Sequence, residues 1–343
     1  MSTKIEIKDL NVGFHSDGQT KQVLHQVSLI VPENKKIGII GESGSGKTQT
    51  VLSILGLISG EPGVISGKIK YRDNFILDTS ANSKKQWKRI YGEKTQLLRG
   101  HEISIIFQDA KASLIPYRTI EEQAIETWKD LNGNQSRLEI IENARSLLEE
   151  MNLSDPERVL RSYPNQLSGG ESQRAYIMLA LLGSPSLLIA DEPTSSLDRE
   201  NADNLLNIIK KLCSDKKISL LLISHDLRDV IEHTDQIYVL FDGHVLEQFS
   251  PKNRTPTHPY TKFLMSMVDG ELIKELKADP DSDNSVTNLV QNGNMNEKYA
   301  CPYYKFCSLS RTLSTKEQQK CKNEKPSLEM FSDNNKSACW HDK

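Results

Sequence analysis

Two short strings in this chain carry groups suited to phosphate and water chemistry. Gly41-Glu42-Ser43-Gly44-Ser45-Gly46-Lys47-Thr48 fits the pattern G-x-x-x-x-G-K-S/T in full. Glycines let the backbone fold tightly enough to aim several N–H groups at phosphate oxygens, and a helix opening there adds its positive end. Lys47 is placed to reach the β- and γ-phosphates of a nucleoside triphosphate, and the Thr48 hydroxyl can ligate Mg2+. The bland alternative is a glycine-rich turn with a chance lysine. It loses ground because the strand pattern Lys36-Ile37-Gly38-Ile39-Ile40 leads into the loop and residues 49–58 have the spacing of a buried helix. The second string, Leu187-Leu188-Ile189-Ala190-Asp191-Glu192, is an apolar strand ending in two carboxylates, at the end of the strand where ligands sit in parallel sheets. Asp191 would hold Mg2+. Glu192, one residue on, points differently and can polarise an attacking water.

The elements that must position these groups are legible as patterns. Residues 4–8 alternate as a half-buried strand does, and residues 27–31 read as a second strand. Residues 124–182 are mostly helical, with Leu138, Ile141, Ala144, Leu147, Leu148 and Met151 recurring at helical spacing. The apolar runs at 187–190 and 220–223, separated by a helical pattern at 202–212, predict buried parallel strands of an α/β sheet. A further strand pair, 236–240 and 244–248, is joined by the turn Asp242-Gly243. Residues 279–296 turn to Asp, Asn, Ser and Gly and read as a linker. No internal repeat is visible, and each motif occurs once.

With 343 residues the chain has room for one large domain and an appendage. Forty-three basic against 46 acidic residues leave a net charge of −3, which removes a bulk electrostatic case for nucleic-acid binding. The longest apolar run, residues 175–182, falls short of the roughly 20 residues of a membrane helix, and the N-terminus has no stretch suited to a signal peptide. The expectation is a cytosolic protein that needs partners for any work at a membrane.

Upstream of the acidic strand lies Leu167-Ser168-Gly169-Gly170-Glu171-Ser172-Gln173-Arg174. Together with the phosphate loop and the acidic pair, it strongly resembles the signature motif of ATP-binding cassette (ABC) ATPases. The resemblance runs over residues 4–268. It implies an α/β fold of the P-loop NTPase type, an ABC cassette with a RecA-like parallel core, an antiparallel β subdomain and a helical subdomain at about 110–182. It assigns Gln108 as the Q-loop residue contacting Mg2+ and water, and Ser195-Ser196-Leu197-Asp198 as the D-loop. His225 becomes the switch histidine at the γ-phosphate, and Phe14 the aromatic that stacks on adenine, with His15 as the alternative. ATP contacts are implied for residues 41–48, Gln49, Ser168, Gly169, Gly170, Glu171 and Asp198, and Mg2+ contacts for Thr48, Gln108 and Asp191. Two cassettes would pack head to tail with ATP between them, and the catalytic residues the resemblance implies are Glu192, His225 and Gln108.

Three features resemble the importer ATPases for dipeptides, oligopeptides and nickel: residues 107–116 around Gln108, the string His258-Pro259-Tyr260-Thr261-Lys262, and a cysteine-containing tail. Ala110 stands where that pattern has proline. The expected organisation is a cassette at 1–255, a post-cassette segment and linker at 256–300, and a cysteine-rich extension at 301–343. The resemblance implies ATP hydrolysis powering peptide uptake at the cytoplasmic face of the membrane. Partners would be two transmembrane permease subunits, a second ATPase subunit leaning to a paralogous partner, and an extracellular solute-binding protein, with no nucleic acid. The alternatives are nickel or another small solute as cargo, and a soluble ABC ATPase acting on nucleic acid or ribosomes.

Cys301, Cys307, Cys321 and Cys339 crowd into the tail, while Cys213 sits in a helical apolar pattern and reads as a core thiol. The tail spacing fits neither the C-x2–4-C pairs of ordinary zinc sites nor standard ferredoxins. By resemblance the four could hold a [4Fe–4S] cluster; zinc and unligated thiols stay open.

Overall fold

The computed structural model of the chain describes residues 3–16, 18–81, 83–132, 136–195, 197–253, 256–269, 299–332 and 335–341. The linker read at 279–296 and Ser196 lie outside them. An antiparallel sheet is built from β1 (Thr3–Ser16), β2 (Gln19–Pro32), β4 (Pro62–Tyr71) and β5 (Asn74–Asp78), in the order β2-β1-β4-β5. The second sheet contains β3 (Lys36–Ile40), β6 (Ile103–Ile106), β7 (Leu187–Asp191), β8 (Ser219–Ser224), β9 (Gln236–Phe241), β10 (His244–Phe249), β11 (Glu329–Ser332) and β12 (Asn335–Ser337). Its order is β11-β12-β10-β9-β3-β8-β7-β6, parallel from β9 through β6 and antiparallel beyond β9.

Every residue of β7 and β8 is buried, including the two serines that bound β8. Strands covered on both faces must be apolar throughout, which is why these runs show no alternation. Helices α8 (Arg199–Asp215) and α9 (Leu227–His233) lie against β8, while α1 (Lys47–Leu55) and α2 (Lys84–Leu98), the latter packed on β5, share a core cluster with the antiparallel sheet and with Leu187, Ile189, Leu221 and Ile223. In α8 the buried set Ala202, Leu205, Leu206, Ile209, Leu212 and Cys213 follows helical periodicity, and the Asp198 side chain caps its start by accepting from Asn201 N–H. The short α3 (Ala110–Ser113) leads to a helical unit of α4 (Ile120–Asn132), α5 (Arg137–Glu150), α6 (Pro156–Arg161) and α7 (Gly169–Leu181). Its core joins Leu114, Ile120, Leu148, Met151 and Met178 to Ile106 and Leu188 of the sheet. Among the described residues the remaining α-helices are α10 (Pro259–Asp269) and α11 (Thr315–Asn323).

The β9–β10 turn has Asp242 at φ 43° and Gly243 at φ 72°, the left-handed pair a two-residue hairpin requires. The two sheets are tied where the Tyr238 hydroxyl accepts Ile30 N–H at 3.0 Å. The cysteine tail joins the main sheet: Glu247 and Gln248 of β10 pair with Ser337 and Lys336 of β12. Tyr303 enters a core cluster with Ile40, Phe241 and Tyr260.

Close packing of β3 on α9 demands glycine at position 38, where a Cβ would lie 1.9 Å from Val230 Cγ1. Gly38→Ala is expected to cost about 1–3 kcal/mol in urea denaturation, the usual range for overpacking. Val230→Ala placed on that background should recover part of the loss; a Gly38→Ala chain as stable as the parent contradicts this packing.

Candidate active site

The loop at 41–48 leaves the end of β3 and turns at once into α1. Its glycines answer to space and backbone angle. A Cβ on Gly41 would sit 2.1 Å from the Leu240 carbonyl oxygen. Gly46, at φ 97°, caps α1 in a left-handed conformation that disfavours any side chain. The loop is pinned by Ser45 N–H to Glu42 O at 3.1 Å and by Gly243 N–H to Ser45 O at 3.0 Å. Lys47 is buried, and its Nζ donates to the carbonyls of Gly41 at 2.8 Å and Glu42 at 3.0 Å. Burial pulls its ammonium below the ordinary lysine value, opposed by the charges of Glu192, Asp191 and Glu42.

Parallel register brings the carboxylates to this lysine. Ile40 of β3 pairs with Ser224 of β8, and Ile223 of β8 pairs with Asp191 of β7. Asp191 is buried and accepts from the Thr48 hydroxyl. Glu192 leaves the strand at φ 49°, a left-handed angle for a non-glycine residue, with its N–H bound to Ile223 O at 2.9 Å. Backbone in that region is held only where surroundings enforce it, and such positions concentrate at functional sites. The bend sets Glu192 Oε2 3.2 Å from Nδ1 of His225, the residue that follows β8. Loop, Asp191, Glu192 and His225 therefore meet at one sheet edge. Gln108 follows β6, the outermost parallel strand, at the same edge and is exposed.

Ser168 caps α7: its hydroxyl accepts Glu171 N–H at 3.3 Å while the Glu171 carboxylate takes the Ser168 N–H and hydroxyl at 2.9 Å each. The Ser168 backbone bond, with Arg158 and the hydroxyl, holds the Glu171 carboxyl below its usual range. Ser168 and Gly169 are exposed, Gly170 half-buried. Among the described residues no hydrogen bond or ion pair joins residues 168–171, Asp198 or Phe14 to the loop at 41–48. Phe14 is half-buried within the antiparallel sheet, its ring beside Gly60.

Two supports escaped the sequence reading. Buried Asp229 accepts from Thr194 and Ser224 at 3.3 Å each and pairs with Arg199 at 2.8 Å, tying the segments after β7 and β8 together. Gln173 of α7 donates to Pro193 O at 2.8 Å, linking the signature helix to the strand end that carries Glu192. Only proximity in the fold marks these groups; no spacing in the chain announces them.

Cys213 is buried in α8, and its thiol is pushed up to about 12 by burial. The four tail cysteines line one small cavity of about 20 Å³ together with Tyr303 and Tyr304. Burial, with smaller contributions from Cys321 and Cys307, pushes the Cys301 thiol up to about 11. Among the described residues no three His, Cys, Asp or Glu side chains are placed around a single metal ion.

Burial, the largest influence, raises the Asp191 carboxyl above its ordinary 3.8. The folded chain then binds a proton there more readily than the unfolded chain does. Ionised Asp191 subtracts stability once pH passes the raised value, and the penalty vanishes below the ordinary one. Asp191→Asn should raise the melting temperature of the ligand-free chain at neutral pH, with the gain fading as melts approach pH 3.8. An Asn variant that melts no higher than its parent at pH 7 refutes the buried-charge account.

The ABC transporter family model matches residues 24–195. A probable peptide ABC transporter ATP-binding protein of Sinorhizobium fredii is 31% identical over 339 residues, covering 98% of this chain and 94% of that protein. The oligopeptide transport ATP-binding protein AppD of Bacillus subtilis is 35% identical over 280 residues, covering 80% and 82%. Among solved structures, the dimeric bacterial ABC transporter cassette MJ0796 superposes with a TM-score of 0.59 at 27% identity, covering 72% of this chain and 98% of that one. Among the described residues no helix is long and apolar enough to cross a membrane. A phosphate-type loop, two strand-end carboxylates and a histidine on one parallel edge agree with these likenesses, and the chain belongs to the ABC transporter family as an ATP-binding cassette ATPase.

Proposed function

We propose that this ATPase energises the import of oligopeptides or dipeptides through separate permease subunits. The observation that carries the catalytic part is the Glu192–His225 contact of 3.2 Å beside Lys47 and Asp191. The cargo rests on relatives named for peptide and oligopeptide transport. We read residues 1–255 as the cassette, 256–300 as the connecting segment and 301–343 as the extension.

In this reading the loop N–H groups and the end of α1 receive the phosphates, and Lys47 exchanges the carbonyls of Gly41 and Glu42 for phosphate oxygens. Thr48, Gln108 and Asp191 would hold Mg2+, which neutralises charge developing on the phosphates. Glu192 orients and polarises the attacking water, and His225 steadies the Glu192 carboxylate while facing the γ-phosphate. Ser168, Gly169 and Gly170 act on the nucleotide of a second cassette. Support comes from their separation from their own loop and from a related cassette solved as a dimer with ADP and phosphate. Residues Phe14, Gln49, Glu171 and Asp198 complete the nucleotide surroundings. The second cassette is a paralogous subunit, and an external binding protein delivers the cargo. A groove of about 340 Å³ between the sheet and the helical unit, lined by Leu57, Ile105, Ile115 and Tyr176, suits a cytoplasmic element of the permease.

The one observation in favour of an iron–sulfur group on Cys301, Cys307, Cys321 and Cys339 is that the four thiols line a common cavity. The group would supply cationic charge favouring the thiolate forms and would cross-link the tail. Anaerobically purified chain should contain iron and acid-labile sulfide, and Cys321→Ser should lose most of both. An iron-free parent leaves zinc or free thiols.

Glu192→Gln should bind ATP yet lose at least about a hundredfold in hydrolysis, the lower bound for losing a general base. In cells lacking the gene, uptake of labelled short peptides should return with wild type and not with Glu192→Gln. Nickel uptake restored instead would move the cargo to a metal ion. An unchanged hydrolysis rate in Glu192→Gln would sink the catalytic assignment.

A further inference from the structure

The segment that follows the last cassette strand reaches back to the phosphate loop. Tyr260, at the start of α10, is fully buried, and its phenolic oxygen accepts the backbone N–H of Glu42 at 3.3 Å. Glu42 belongs to the loop itself, and its carbonyl receives Lys47 Nζ and Ser45 N–H. One peptide neighbourhood therefore joins the loop to its lysine and to α10.

The Tyr260 ring has little freedom. Phe241, at the end of β9, packs edge-on at 4.9 Å, and Tyr303 of the cysteine tail lies at 5.1 Å. Tyr303 also meets Phe241 edge-on at 5.3 Å, and His258 Nδ1 accepts Tyr260 N–H at 3.1 Å. Tyr303 is itself set by the tail, lying between Cys301 and Cys307 and lining the cysteine cavity. A continuous run of packed rings thus connects the docked tail to the first turn of the loop.

We propose that Tyr260 is a positioning residue for ATP binding and that the docked tail, through Tyr303, sets its place. A phosphate loop binds by the orientation of successive amides, so the hydroxyl that fixes the Glu42 peptide governs ATP affinity. Glu192 and His225 lie on other strand ends and do not depend on it. Loss of the hydroxyl therefore acts on KM for ATP and leaves kcat in place. The inference rests on the assignment of residues 41–48 as the phosphate loop.

The test uses the full chain, with equilibrium binding of MgATP and steady-state hydrolysis. Tyr260→Phe keeps the ring and should raise Kd and KM about fivefold, the worth of one hydrogen bond, with kcat within about twofold. Tyr303→Leu should move both constants the same way. Tyr238→Phe is the control: that hydroxyl is also buried, but it bonds Ile30 between the two sheets. It should lower the melting temperature and leave KM unchanged. Wild-type ATP affinity in Tyr260→Phe, or an equal rise of KM in Tyr238→Phe, overturns the proposal. Should Tyr260→Phe fail to fold, unchanged affinity in Tyr303→Leu overturns it alone. Undiminished ATP binding by Lys47→Ala would instead remove the loop assignment beneath it.

Discussion

The chemistry of this chain depends on the register of three adjacent parallel strands. Pairing Ile40 with Ser224 and Asp191 with Ile223 makes β3, β8 and β7 end at one level. Past Lys36, the partly buried first residue of β3, they are buried throughout and carry no charged side chain before the last residue of β7. Polar function is therefore expelled to the carboxyl ends, where the phosphate loop, the Asp191–Glu192 pair and His225 emerge side by side. A one-residue slip in a parallel pair would turn side chains to the opposite face and separate these groups.

The site balances opposite charges in partly dry surroundings. Lys47 is desolvated and satisfied by the loop's own carbonyls, while Asp191 is held by Thr48. Phosphate oxygens offer the lysine stronger acceptors than peptide carbonyls do, because a charge-assisted bond outweighs a neutral one. Ser168 caps α7 and faces solvent, as the role proposed for it at the nucleotide of a second cassette would require.

Much of the core was legible in the sequence because its informative residues are contiguous. The loop sits directly between a buried strand and its helix, and Asp191 and Glu192 close a run with no polar residue. Other parts left weaker marks. Helix α2 buries only Trp87, Tyr91 and Thr95, too sparse a stripe to stand out. Strand β12, Asn-Lys-Ser, has no apolar residue at all and forms because β10 offers an unpaired edge. The bond between Glu42 and Tyr260, like the Asp229 network, joins positions with no local relation in the chain. Cys213 read correctly as a core thiol because its helix repeats cleanly.

The most direct measurement is an experimental structure of the full chain with Mg2+ and a non-hydrolysable ATP analogue. The account predicts phosphates on the amides of residues 41–48, Lys47 released from Gly41 and Glu42 to the phosphates, and Mg2+ between Thr48 and Asp191. The terminal phosphate should lie within reach of a water held by Glu192. A nucleotide bound elsewhere, or Lys47 still on its own carbonyls with the analogue in place, would contradict it.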